Sequence, residues 1–341
     1  MNDSEAGGGA AQDPYVPPTA PSVQPGPEPA PLATRLVGVV ASPGATFKTL
    51  VARPAWAGML AIYLVALGVS ALVYSLNVDW EGLMKGQFEE STAWKLASSM
   101  LPEDKLGEIE HAAVEEVVST GSGGMALLTT ANTVIGGAIG FMMMGVIYGT
   151  LFYLMGAVGD LKLGRVYLDA FLALLMAFGW VMAGAILRGV FFSNDSRAAL
   201  PWQAGLNAIF FLVFLYMLHG AVERQPAFRR VMSVYAHGMV ISAISAILVI
   251  AVVLMQSEPV TVGADQILKS NLGVLAGVKG TGLAATLLGS LDIFTVWQLV
   301  VLSIGFAALT GFSVWTSASI TFLPWGFVTM VKVAIATLFG G

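Results

Sequence analysis

The segment from Gln203 to Met255 constrains this chain more than any other. Two apolar runs, Ala204 to Leu218 and Val231 to Met255, flank one polar bend, Glu223-Arg224-Gln225-Pro226-Ala227-Phe228-Arg229-Arg230. About 20 apolar residues, each rising 1.5 Å in a helix, cross the hydrocarbon of a bilayer. Basic residues at helix ends resist translocation, so the three arginines predict that this bend faces the cytoplasm. One hairpin thereby sets the direction of every other predicted span. The composition agrees: 56% of residues are hydrophobic and 11% charged, whereas soluble domains carry about 25% charged residues. The net charge of −5 comes from acidic residues clustered in one loop. Without a basic stripe or a recognition module, nucleic acid is excluded as a partner. The absence of cysteine excludes disulfides, thiolate metal ligands and a cysteine nucleophile.

The expected fold class is all-α: a polytopic helical transmembrane bundle of about seven spans, within a range of five to seven. Residues 1–31 are rich in Gly, Ala and Pro and cannot bury a core, so a disordered tail is expected. Residues 32–55 read as an interfacial amphipathic segment, in which Ser42 caps and Pro43 opens a short helix over Thr46 to Ala52 lying at the membrane surface. Residues 56–341 form the transmembrane domain, with spans near 56–76, 126–158, 167–190, 204–222, 231–255, 293–312 and 316–338. Trp56 is placed as an interfacial anchor of the first span.

Residues 77–124 hold ten of the carboxylates and read as a helical extracytoplasmic loop, solvated on its acidic face, with a helix start at Pro102-Glu103-Asp104. Gly121-Ser122-Gly123-Gly124 reads as a flexible linker. Gly136 with Gly140, and Gly145 with Gly149, are spaced for close helix approach, chiefly inside the chain. Basic residues Arg35, Lys48, Arg53, Lys162, Arg165, Arg224, Arg229 and Arg230 fall in short segments on one side, which places the N-terminus in the cytoplasm. The run Tyr153 to Val158, followed by a basic turn and Tyr167, echoes Tyr216 to Val222, followed by a basic turn and Tyr235. This spacing raises a parallel internal repeat against the alternative of chance likeness between apolar segments.

Gly289-Ser290-Leu291-Asp292-Ile293-Phe294-Thr295-Val296-Trp297, followed by Ile304-Gly305, resembles a late membrane helix of bacterial members of the Yip family, the Ypt/Rab-interacting proteins. Ser42-Pro43-x-x-x-Phe47 before Pro54-x-Trp56 is similar to that family's approach to its first span. Ala227-Phe228-Arg229-Arg230-Val231-x-x-Val234-Tyr235-Ala236-His237 resembles the turn before its middle span. The resemblance covers most of residues 42–313. It implies a compact multispan bundle with a cytosolic N-terminus in a bacterial cytoplasmic (inner) membrane. The expected partners are membrane lipids, further copies of the chain or other membrane proteins. The Asp-Leu-Tyr-Gly-Pro signature of the eukaryotic branch is absent, so GTPase binding is not expected.

Polar side chains inside spans are functional candidates. Asp169, His219 and His237 form the candidate intramembrane cluster, read either as a proton relay or as hydrogen-bonded packing residues near helix ends. Lys332 is expected to snorkel to the outer surface. Two histidines without a third ligand at a suitable spacing predict no metal site. No nucleophile-elbow, phosphate-loop or zinc-protease motif occurs, so neither cofactor nor catalytic residue is expected. The functional expectation is a structural or interaction protein that scaffolds partners or affects membrane organisation. The alternative is a small-solute or ion transporter using Asp169, His219 and His237.

Overall fold

A computed structural model describes residues 30–83, 100–159, 161–173, 175–176, 196–261, 267–268, 270–277 and 283–339. The expected tail at 1–31 therefore lies outside the described residues except for its last two. So do most of the third expected span and the stretch 84–99 of the acidic loop.

The protein is an all-α polytopic transmembrane bundle, and six helices among the described residues are long and apolar enough to span a membrane. Helices α1 (Leu32–Ala41) and α2 (Pro43–Ala52) precede α3 (Ala57–Asn77) and the long α4 (Glu103–Leu154). Then come α5 (Ser196–Glu223), α6 (Pro226–Gly238), α7 (Val240–Met255), α8 (Ile293–Thr310) and α9 (Val314–Phe339). Residues 163–173 are also helical. Helix α3 packs on α4 and α7, α4 on α5, and α8 on α2, α6 and α9.

Helix α6 is the hub. Val231, Met232, Ser233, Val234, Ala236 and His237 are all buried, although only part of this surface is apolar. A helix covered on every side is a core helix, not an amphipathic surface helix. Pro226 begins it, where its missing N–H costs nothing. The polar bend is accordingly shorter than expected. Only Arg224 and Gln225 are non-helical, and Arg229 and Arg230 ride on the first turns of α6.

Helix α2 is two-faced: Phe47 and Leu50 are buried in the core formed with α6 and α8, while Lys48 and Thr49 are exposed. Three further expectations are corrected. Ser42 precedes this helix, but its hydroxyl caps nothing; its carbonyl accepts from the Thr46 amide and hydroxyl. The Gly121 segment is not a free linker. Helix α4 runs through it and bends there, with Gly121 at φ 74° and ψ 161°, a conformation that a side chain would strain. The acidic start of α4 is exposed and ion-paired locally, Lys105 to Glu108 at 2.7 Å. In the glycine pairs, Gly137 rather than Gly136 faces α3, with Leu67 and Leu64 over it. Gly145 and Gly149 do admit neighbours, Met232 and Phe228 of α6, while Gly136 and Gly140 border open space.

At the end opposite the arginines, two backbone bridges tie the connections together. Asp79 donates to the Val260 carbonyl, and Val260 to the Asn77 carbonyl, both at 2.9 Å. Leu272 donates to the Leu291 carbonyl at 3.0 Å, next to the Asn271–Asp292 bridge. Asp292 caps α8 as expected, accepting from the Thr295 amide at 2.8 Å.

Candidate functional site

The basic end is locked by the short segment Pro54-Ala55-Trp56 before α3. Helix formation resumes only at Ala57, leaving the polar groups of this segment to be satisfied by side chains. Arg229 Nη2 donates to the Pro54 carbonyl at 3.0 Å. The Ser233 hydroxyl accepts from the Ala55 amide at 3.1 Å and donates to its carbonyl at 3.3 Å. Trp56 Nε1 donates to Glu223 Oε1 at 3.0 Å, and the other Glu223 oxygen pairs with Arg229 Nη1 at 3.0 Å. The second basic turn joins the same end, where the Lys162 amide donates to Gln225 Oε1 at 3.3 Å. Glu223, Gln225 and Ser233 were not singled out from the sequence. Their one signal was position, since each lies within two turns of the arginine bend.

The three predicted site residues divide. His219 packs against the Trp56 ring, with centroids 5.9 Å apart. His237 is fully buried, and its Nδ1 lies 2.8 Å from the Ser233 carbonyl of the preceding turn, while Nε2 has no partner. His219 thus touches the Pro54–Trp56 segment, while His237 bonds back within its own helix. Asp169 has one buried carboxylate oxygen without a partner, and no hydrogen bond or ion pair among the described residues joins it to either histidine. No group of three or more His, Asp or Glu among the described residues is placed to hold a metal.

From the basic end inward the core holds a chain of rings. Trp56 meets Phe141, Phe141 meets Tyr235, and Tyr235 meets Tyr148, with centroids 6.5, 5.2 and 5.6 Å apart. Tyr148 then meets Phe306, and Phe306 meets Phe152, at 5.1 and 4.6 Å. Beside the rings, an ideal Cβ on Gly305 would stand 2.7 Å from Val234 and 3.0 Å from Phe47. Only glycine fits between α2, α6 and α8 there. The two expected repeat units do not match in environment: Tyr235 is buried in this core, whereas Tyr167 is about half exposed.

At the far end a cavity of about 400 Å³ opens between α7, α8 and α9, with Asp292, Lys332, Ser245 and Thr329 among its walls. Neither Ser245 nor Thr329 stood out in the sequence, because isolated hydroxyls are common in spans. Searches against protein-family models, curated proteins and solved structures find no match to this chain.

Proposed function

We propose that this integral membrane protein is a Yip-like structural or interaction protein, scaffolding membrane partners or further copies of itself. The observation that carries the reading is the unbroken aromatic core from Trp56 to Phe152. A transporter needs a polar path that opens to alternate sides. Six rings in successive contact fill the interior of the basic half of the bundle instead. The resemblance gains support from the meeting of three of its separate stretches at Phe47, Val234 and Gly305. Affinity capture of the full-length protein in mild detergent tests the proposal. A reproducible membrane-protein partner or a homo-oligomer is the expected result, and a strictly solitary monomer counts against it.

The orientation proposed with this reading has the N-terminus and the arginine bend in the cytoplasm of a bacterial cell. Its support is that Arg229, Lys162 and the Pro54 segment are bonded together at one end. Because the chain has no cysteine, a single Arg224→Cys probe should react with an impermeant maleimide only after permeabilisation. A Glu258→Cys probe at the other end should react in intact cells, and the opposite pattern would reverse the map. The transporter alternative rests on the unpartnered Asp169 and His237 atoms. Proteoliposome flux lost in both Asp169→Asn and His219→Ala would favour it.

A further inference from the structure

We propose that the cavity between α7, α8 and α9 is a binding site for the phosphate-bearing headgroup of a membrane phospholipid. The inference is independent of whether the protein scaffolds partners. It starts from hydroxyl geometry. A serine or threonine within a helix usually returns its hydroxyl to the carbonyl four residues back. This chain does so repeatedly: Thr150 to Val146, Ser303 to Leu299, Thr310 to Phe306, Thr321 to Ser317 and Ser319 to Trp315. Thr329 and Ser245 do not. Thr329 is only 8% exposed, yet its hydroxyl has no partner among the described residues, and it lines the cavity. Ser245 lines the same cavity from α7. A hydroxyl on the wall of an open cavity that makes no bond within its own helix is available to a ligand.

The open donors select the ligand class. Both oxygens of Asp292 are already in use as acceptors. One carboxylate oxygen takes both the amide and the hydroxyl of Thr295, the other takes the Ser270 hydroxyl, and the group sits at the N-terminus of α8. Lys332 makes no ion pair among the described residues. Asp292 and Lys332 leave the wall without net formal charge, and the donors still open in it among the described residues are Lys332, Thr329 and Ser245. An anion with several acceptor oxygens satisfies these donors, and phosphate is such a group. Size and surroundings select the source. A single water occupies about 30 Å³ of liquid, so a 400 Å³ cavity has room for a headgroup and not merely an ion. Trp325 and Val328 continue the wall along α9, whose outer surface exposes Phe327 and Val331. An acyl chain leaving the cavity would pass directly along this apolar face.

The test uses the full-length protein, delipidated in a non-ionic detergent and titrated by calorimetry with dihexanoyl phosphatidylglycerol or with inorganic phosphate. Saturable binding of about one lipid per chain is expected. Loss of a charge-assisted contact in Lys332→Met should weaken it about tenfold or more. Lys332→Arg should keep binding near the original level, Thr329→Val should weaken it by a smaller factor, and Lys48→Met at the basic end should leave it unchanged. Thermal unfolding of each variant in the absence of lipid separates lost binding from lost fold. Three results would overturn the proposal: no saturable lipid binding, equal affinity in a folded Lys332→Met variant, or binding of inorganic phosphate without binding of the lipid.

Discussion

The two ends of this bundle handle polar groups in different ways. At the basic end several polar side chains tie separate segments together, although Gln225 Nε2, Arg229 Nε and His237 Nε2 are buried without a partner among the described residues. Arg229 alone serves Pro54 and Glu223, and Ser233 both donates to and accepts from Ala55. At the far end the cap on α8 is satisfied, but among the described residues Thr329 and Ser245 have no hydroxyl partner and Lys332 has no ion pair. The difference follows from what each end packs. Helix α6 is wrapped by neighbours, so the bonds its polar side chains make are made within the chain. Helix α9 is a peripheral helix with a small buried share, and it leaves a gap against α7 and α8. Bonds between separate segments mark a structural joint, and open donors around a cavity mark a place for something else.

Substitutions can break or sharpen this contrast. The largest effect is expected from Phe47→Ala, which removes a fully buried ring from the junction of α2, α6 and α8. Such changes cost about 3–5 kcal/mol, visible as a large fall in the melting temperature of the detergent-solubilised protein. Gly305→Val at the same junction should cost about 1–3 kcal/mol by overpacking, and its partial rescue by Phe47→Leu would show that the two side chains share one space. Trp56→Phe keeps the ring stack but removes the bond to Glu223, a loss of about 1 kcal/mol in the same assay. At the far end, Asp292→Ala should cost about 1 kcal/mol through the lost cap. The smallest effect is expected for Thr329→Val, within about 0.5 kcal/mol. A Thr329→Val cost approaching that of Phe47→Ala would mean that the far end is packed core, and the contrast would fail.

Much of the architecture was legible because it follows from hydropathy and length. Six spans match apolar runs, and Asp292 was readable as a cap because an acid before an apolar run has few other roles. Boundaries shifted where local chemistry overrode composition. Helix α8 ends at Thr310, where Gly311 turns left-handed with φ 76°, and α6 begins at Pro226, inside what composition marked as a loop. The candidate site was less legible. Asp169, His219 and His237 are conspicuous as letters, but among the described residues His219 packs on Trp56, His237 bonds back to its own helix, and neither is joined to Asp169. Ser242 and Gln298, which bridge α7 and α8 at 2.6 Å, attracted no notice because uncharged polar residues barely disturb an apolar run.

Taken alone, the sequence determined that this protein lives in a membrane, as helices, with its basic turns together at one end. Those properties depend on sums over many residues, namely the transfer of apolar side chains and the satisfaction of each backbone group within its own helix. Only the tertiary structure decided which glycine admits a neighbour, which hydroxyl folds back on its helix, and where a cavity remains. These depend on how helices separated by many residues rotate and cross, and on contacts a few tenths of an ångström apart, which no local pattern specifies.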